Sequence, residues 1–304
     1  MDNIQRIFRQ VPYSVMKDLE QVPSHLWNSA EELRLRRGYP ATLVSSGDEF
    51  LLSGDVLGKV TQDLLNNIIN KFLNYSEYAH DEEMRCGYIA LEGGHRAGFC
   101  GQVVSERGSI VSIRNISSIN IRFAREIPDA GVGVFPVLFD ETGRFQNTVI
   151  AAPPGCGKTT LLRNLIRLLS DRKYTVAVCD ERNEIAGTGS DQFAFNLGSR
   201  VDVMSHCSKT EGMILILRSM GPQILATDEI GNAEEIQVLR RVVAAGVGLL
   251  TTIHAGSFQD LLVSPLGPMI CEGSIGRILF LSDRPRRGTI TGIWKKEQAE
   301  RKKL

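Results

Sequence analysis

The stretch "NTVIAAPPGCGKTTLLRNLIRLLSD", Asn147–Asp171, decides the fold. It begins as an apolar run typical of a buried strand, passes through a glycine-bearing turn and ends with the apolar spacing of a helix. The turn matches the phosphate-binding pattern Gly-x-x-x-x-Gly-Lys-[Ser/Thr], except that Ala152 takes the place of the first glycine. That position is the end of the strand, where a methyl group costs little as long as φ is negative. The stretch therefore predicts a working nucleotide site.

Each residue type in this loop has a physical reason. Gly155 and Gly157 allow a tight turn, so that backbone N–H groups can face phosphate oxygens at the start of the helix. The Lys158 ammonium can reach the β- and γ-phosphates, and the Thr159 hydroxyl can ligate Mg²⁺. The residues predicted to bind the nucleotide are Pro153, Pro154, Gly155, Cys156, Gly157, Lys158, Thr159 and Thr160.

Strand and helix patterns alternate outward from this loop. The runs "YTVAVCD", "QILATD" and "GLLTTIH" are short and apolar, and the helix pattern "AEEIQVLRRVVAA" lies between the last two. Such alternation predicts an α/β fold with a mostly parallel sheet covered by helices. Because ligands of such sheets bind at the carboxyl ends of the strands, the polar residues at those ends are the candidates for chemistry.

Acidic residues follow two of these strands. Asp228 fits a ligand of Mg²⁺, and Glu229 would polarise the water that attacks the phosphate, although strand ends also carry solvated acids. Asp180 and Glu181 close the neighbouring strand. One of the two is expected to join the metal or water network, and the alternative is a helix cap with an ion pair to Arg182.

A histidine, His254, ends the strand "GLLTTIH". A lone histidine is often structural, but at the carboxyl end of a strand in this fold it can sense the γ-phosphate. The guanine-binding pattern Asn-Lys-x-Asp does not occur in the sequence, which favours ATP over GTP.

The charge balance and the cysteine pattern limit which classes of protein this chain can belong to. Thirty-five acidic residues balance 35 lysines and arginines, whereas a dedicated nucleic-acid binder usually carries a basic surplus. The six cysteines are spread over the chain without a Cys-x-x-Cys pair, which favours reduced thiols over a metal or disulfide framework. The start "MDNIQRIFRQ" lacks the apolar run of a secretory signal. We therefore expect a cytoplasmic protein.

The first half of the chain mixes helix and strand signals. "SAEELRLRRG" reads either as a capped helix or as an alternating strand, and its pattern leaves both open. A helix is predicted within "DVLGKVTQDLLNNIINKFLNYS", and strands within "GYIALEGGHRAGFCGQVVSERGSIVSIRN". The Pro- and Gly-bearing stretch "IPDAGVGVFPVLFDETGR" reads as a linker. The predicted domains are 1–134, of α+β type, and 135–304.

With these stretches in hand, the chain resembles the type II/IV secretion ATPases of the RecA-like class. The resemblance covers most of the chain and rests on four boxes: Walker A "APPGCGKT", Asp box "CDERNE", Walker B "LRSMGPQILATDEIG" and His box "GVGLLTTIHAGS". Two stretches, "LGSRVDVMSHCSKTEGMILILRSMGPQILATDEIG" and "SSINIRFAREI", carry a closer resemblance to members from endospore-forming bacteria. The Asp box reads Asp-Glu where the family usually has Glu-Asp.

The resemblance implies a RecA-like P-loop NTPase core preceded by a smaller α+β N-terminal domain. It further implies a Mg²⁺-dependent ATPase, acting as a homohexamer, that powers a secretion- or pilus-like membrane complex needed for endospore formation. Its partners would be membrane proteins, not nucleic acid. Arginines of the first domain would compensate the γ-phosphate charge, and the matching positions are Arg96, Arg114, Arg122 and Arg125.

Three points stay open in the sequence. The segment Ala186–Glu211 lacks an obvious counterpart in the pilus motors of the family and reads as a partner loop, a pore loop or a flexible connection. A RecA-like fold could instead act on nucleic acid, although the neutral charge disfavours that role. A third reading is a scaffold that assembles on binding ATP and barely hydrolyses it.

Overall fold

The computed structural model describes residues 2–73, 84–85, 87–106, 109–124, 127, 129–187 and 195–301. The chain falls into two compact units, one of residues 1–125 and the other of residues 126–304 apart from 187–194. The second unit therefore includes residues 126–134, on the N-terminal side of the predicted limit. The division into domains 1–134 and 135–304 stays a prediction.

The first unit is built on an antiparallel sheet. In chain order its elements are α1 (Asp2–Gln10), α2 (Tyr13–Glu20), α3 (Ser24–Trp27), β1 (Ala30–Arg36), β2 (Thr42–Ser45), β3 (Asp48–Leu51), α4 (Gln62–Phe72), β4 (Tyr88–Leu91), β5 (His95–Glu106) and β6 (Ser109–Arg122). Among the described residues the sheet has six strands in the order β3-β2-β1-β6-β5-β4. This is the α+β arrangement expected of the N-terminal half.

The structure decides the ambiguous segment in favour of a strand. Leu33 and Leu35 of β1 are fully buried in the core, while the alternate residue Arg34 is only partly buried. α4 forms as predicted, because the Thr61 side chain accepts a hydrogen bond from the N–H of Leu64 and caps the helix. The same helix buries Ile68 and its apolar neighbours in this core.

The second unit is built on a mostly parallel sheet. After a 3₁₀ turn (Phe135–Leu138) its elements are β7 (Thr148–Ala151), α5 (Lys158–Asp171), β8 (Val176–Asp180), β9 (Val201–Ser205), α6 (Lys209–Ser219), β10 (Ile224–Thr227), α7 (Ala233–Ala244), β11 (Gly248–Ile253), α8 (Phe258–Val263), α9 (Gly267–Cys271), β12 (Arg277–Ser282), β13 (Thr289–Lys295) and α10 (Lys296–Arg301). In the part of the chain that the structure describes, seven strands follow the order β13-β12-β7-β11-β10-β8-β9. Among the strand pairs of this sheet that the structure describes, β12 and β13 are antiparallel and the others are parallel.

The central strands are apolar because helices cover both faces of the sheet. Neighbouring residues of β7 face opposite cores: Ile150 packs with α5, and Val149 packs with the helices α6 and α7. Strands buried on both faces read as continuous apolar runs. The carboxyl ends of β7, β11, β10 and β8 lie along one edge of this sheet, which is where the predicted site residues follow.

The segment Ala186–Glu211 is not simply a loop. It contains the edge strand β9, which pairs in parallel with β8, and the start of α6, while residues 188–194 lie outside the described part. Ser208 caps α6 by accepting a hydrogen bond from the Glu211 N–H, a pattern readable in the sequence. Within the described residues, no helix combines the length and apolar character required to cross a membrane.

Candidate functional site

The phosphate loop connects β7 to α5 and brings the eight predicted residues together. Gly155 and Gly157 have φ angles of 76° and 88°, values that L side chains rarely adopt, and Gly157 is the N-terminal cap of α5. Ala152 stays outside this left-handed region, so its methyl group is tolerated as expected. Pro153, Pro154 and Gly155 are exposed, and Thr159 and Thr160 are half-buried. The loop therefore presents open backbone at the start of a helix.

Lys158 is buried within the loop. Its Nζ lies 3.1 Å from the carbonyl oxygens of Ala152 and Pro153 and 3.0 Å from His254 Nδ1. Burial lowers the pKa of Lys158 below its ordinary value, although the charge of Glu229 opposes that shift. An ammonium group only donates, so this contact is a hydrogen bond when Nδ1 is the ring nitrogen without a hydrogen.

Glu229 is held from several sides. Its Oε1 lies 2.5 Å from His254 Nε2, and its Oε2 lies 2.6 Å from Arg182 Nη1. Burial raises the pKa of this carboxyl, but the His254 hydrogen bond and the Arg182 charge outweigh it, and the net pKa is lowered. The backbone of Glu229 has a φ of 33°, and its N–H donates to Thr252 Oγ1 at 2.8 Å. Glu229 is therefore an ionised carboxylate held in a strained conformation.

Asp228 is almost fully buried, with 1% of its surface exposed. Both of its carboxylate oxygens lack a hydrogen-bond partner among the described residues, and Lys209 Nζ lies 3.6 Å from Oδ1. Burial raises the pKa of Asp228 to about 7, against the attraction of Lys209. Buried polar groups normally have partners, so this carboxylate points to a ligand.

These oxygens fit a magnesium ion. Mg²⁺ prefers oxygen ligands and is commonly bound through one or two protein groups together with substrate phosphates. The described residues hold no cluster of three or more His, Cys, Asp or Glu side chains suited to a metal ion. Asp228, with the half-buried hydroxyl of Thr159 as the second group, has the donor chemistry required.

The two carboxylates of the Asp box are in different environments. Asp180 is fully buried and accepts hydrogen bonds from the N–H groups of Glu184, Ile185 and Ala186, so it shapes the loop that follows β8. Burial raises the pKa of Asp180 even though these N–H groups act in the opposite direction. Glu181 is partly exposed, and its Oε1 accepts from the Lys209 N–H at 3.3 Å. Of the two, Glu181 is the one that contacts Lys209, which also lies beside Asp228, whereas the negative charge of Asp180 helps to raise the pKa of Asp228.

The sequence reasoning missed two parts of this site. One is Lys209, the first residue of α6, which is 3% exposed and lies among the acids. The other is the β12–β13 loop, whose Gly288 N–H donates to the Cys156 carbonyl of the phosphate loop at 3.1 Å. This loop is exposed and carries Arg284, Arg286 and Arg287. The Ser208 cap and the arginine-rich run "SDRPRRG" were the available signals.

The predicted arginines belong to the first unit. Arg96 on β5 lies over the Tyr88 ring, 3.5 Å from its centroid. Arg114 on β6 is opposite Gln102, and Arg122 Nε lies 3.3 Å from Glu32 Oε1. Arg125 lies outside the described residues. Their part in phosphate binding stays a prediction.

Comparison with known proteins gives the family and the fold. The family model described as sporulation stage III, protein AA, matches residues 1–301. The stage III sporulation protein AA of Bacillus subtilis (strain 168) is 36% identical over 295 residues, 94% of each chain. The structure of the Legionella pneumophila ATPase DotB is similar with a TM-score of 0.56 at 16% identity, over 89% of this chain and 76% of that chain. The pilus retraction motor PilT with bound ADP gives 0.55 at 16% identity, over 88% and 76%.

Proposed function

Because the chain belongs to the family of the sporulation stage III protein AA, we propose that it is a Mg²⁺-dependent ATPase that powers a secretion-like or pilus-like membrane complex required for endospore formation. The resemblance drawn from the sequence is confirmed at the level of family and fold. The observation that carries the proposed activity is the buried carboxylate of Asp228, whose oxygens have no hydrogen-bond partner among the described residues and which lies at the sheet edge that also carries the phosphate loop.

The phosphate loop would bind the triphosphate. Backbone N–H groups of residues 155–159 would donate to phosphate oxygens at the positive end of α5. Lys158, whose ammonium contacts the carbonyls of Ala152 and Pro153, would exchange those partners for phosphate oxygens. Thr159 and Asp228 would hold Mg²⁺, which would neutralise charge on the β- and γ-phosphates.

Glu229 would act as the group that orients the attacking water. Its lowered pKa keeps the carboxylate ionised at neutral pH, as a proton acceptor requires. Arg182 and His254 hold its two oxygens, which fixes the direction of the carboxylate. His254 also contacts Lys158, so movement of the ammonium towards a phosphate would remove one partner of the imidazole. This link supports a role for His254 in sensing the γ-phosphate.

The remaining parts of the proposal follow from the family resemblance. The chain would act as a homohexamer in the cytoplasm, docked on membrane proteins of the sporulation complex. Arg96 and Arg114 of the first unit would supply positive charge to the transferring phosphoryl group. Glu181, rather than the loop-forming Asp180, would join the acids around the metal.

Two substitutions test the activity. Lys158→Ala should abolish nucleotide binding or turnover, measured by binding of a fluorescent ATP analogue and by phosphate release. Glu229→Gln should keep binding and stop turnover, because the amide cannot accept the proton. Glu234→Gln, at an exposed position of α7, is the matched control. Brisk hydrolysis by Glu229→Gln would contradict the role of Glu229, and clear stimulation by single-stranded DNA or RNA would favour the nucleic-acid alternative.

A further inference from the structure

Lys209 is a buried lysine that the reaction scheme above does not use. It is the first residue of α6, follows the cap Ser208, and has 3% of its surface exposed. Lysine is almost never fully buried unless its charge is paired, because removing an ammonium group from water is costly. Its contacts therefore indicate what the ammonium is there to hold.

Those contacts join two strand ends. Lys209 Nζ lies 2.9 Å from the Glu229 carbonyl oxygen, 3.6 Å from Asp228 Oδ1 and 3.9 Å from Glu181 Oε2. Its own N–H donates to the second carboxylate oxygen of Glu181. One side chain thus contacts the residues that follow both β10 and β8.

We propose that Lys209 is a positioning residue of the hydrolytic site: its ammonium group fixes the backbone of Glu229 and holds the carboxylates of Asp228 and Glu181 as one array. The inference rests on the proposed ATPase function and extends it, since it names a further chain segment, the start of α6, that sets the geometry of the acids. Lys209 acts through these residues and does not contact the phosphate loop through any of the contacts described above.

The backbone of Glu229 gives the strongest reason. A non-glycine residue at a φ of 33° is strained and persists only where its surroundings hold it. The N–H of Glu229 donates to Thr252 Oγ1 on β11, and its carbonyl accepts from Lys209 Nζ. The peptide group before the strained residue is held by β11. The peptide group after it is held at both ends, because the Ile230 N–H donates to the Thr252 carbonyl of β11 and the Glu229 carbonyl accepts from Lys209.

Close packing of α6 fixes where the ammonium group lies. A Cβ added at Gly212, in the first turn of α6, would lie 2.6 Å from Cys207 Sγ and 2.7 Å from Cys179 Sγ, distances that no real side chain tolerates. Glycine at this position lets the helix approach the end of β8 as closely as its backbone permits. The position of Lys209 is thus set by backbone contact as well as by its own hydrogen bonds.

Lys209→Met tests the proposal, because methionine keeps much of the apolar stem and removes the charge. We expect kcat for ATP hydrolysis to fall about 100-fold, since misplacement of catalytic groups by about 1 Å costs that much, while the Kd for a fluorescent ATP analogue stays within about 3-fold. Lys71→Met, at an exposed helical lysine of the first unit, is the matched control. A kcat close to that of the wild type, or loss of analogue binding in parallel with kcat, would overturn the proposal.

A second measurement needs no hydrolysis. Urea unfolding is measured without nucleotide at about pH 8, in the wild-type background and in an Asp228→Asn background. Lys209→Met should lower the folding equilibrium constant about 10-fold more in the wild-type background. The reason is that the wild-type background then keeps a buried Asp228 carboxylate without its cation, whereas the asparagine of the other background carries no charge. Equal effects of Lys209→Met on the folding equilibrium constant in both backgrounds would overturn the proposal that these residues form one array. If the wild type hydrolyses no ATP but this coupling is found, the proposed ATPase function fails and the array stands.

Discussion

Replacing Asp228 by asparagine should stabilise the nucleotide-free protein, and the gain should depend on pH. Asp228 is 1% exposed, and its carboxylate oxygens have no hydrogen-bond partner among the described residues. Asparagine has nearly the shape of the protonated acid and does not ionise. The substitution therefore removes the cost of a buried negative charge wherever the wild type carries that charge.

The pKa of Asp228 sets the size and sign of the effect. Burial, opposed in part by Lys209, raises the pKa from its ordinary value of 3.8 to about 7. The folded protein therefore binds a proton that the unfolded chain has already released, so the free energy of unfolding falls as pH rises from about 4 to about 7. At about 1.4 kcal/mol per pKa unit, the ionised carboxylate lowers the free energy of unfolding by as much as about 4 kcal/mol above pH 7.

Urea unfolding followed by circular dichroism, with chelator and without nucleotide, measures this effect. We expect Asp228→Asn to raise the free energy of unfolding by several kcal/mol near pH 8 and the difference from the wild type to shrink towards about pH 4. Asp202→Asn, at an exposed position of β9, controls for the substitution itself. A variant that is no more stable than the wild type near pH 8, or a gain of equal size at both pH values, would refute the reasoning.

Three further substitutions probe the framework around the site. Gly212→Ala should lower both the melting temperature and kcat, because the added Cβ would meet the Cys179 thiol and displace α6. Calorimetry measures the melting temperature and phosphate release measures kcat. An unchanged melting temperature would contradict the packing argument. Arg277→Met should cost about 3 kcal/mol or more of unfolding free energy, because a buried guanidinium that pairs with Glu297 and three carbonyl groups is lost; a urea midpoint like that of the wild type would disprove it. Thr61→Ala should cost about 1 kcal/mol by removing the cap of α4, which urea unfolding can measure, and no loss would show that the cap contributes nothing.

The sequence predicted the parts of the site whose signals are local. The phosphate loop was readable because its glycines, lysine and threonine are consecutive and lie between an apolar strand and an amphipathic helix. Asp228 and His254 were readable because each directly follows a strand buried on both faces, and parallel strands end at the same edge of a sheet. The edge strand β9 escaped because its five residues are half-exposed and its apolar run is short.

The sequence by itself thus determined the α/β class, the phosphate loop and the set of polar residues at the strand ends. Only the tertiary structure decided that β11 and β10 lie between β7 and β8. It also decided that the Asp180 carboxylate accepts hydrogen bonds from the loop that follows it, and that Lys209 lies among the acids. The physical reason is the range of the interactions. Periodicity and caps act over a few residues, whereas strand order and the approach of α6 depend on how distant apolar faces pack against one another.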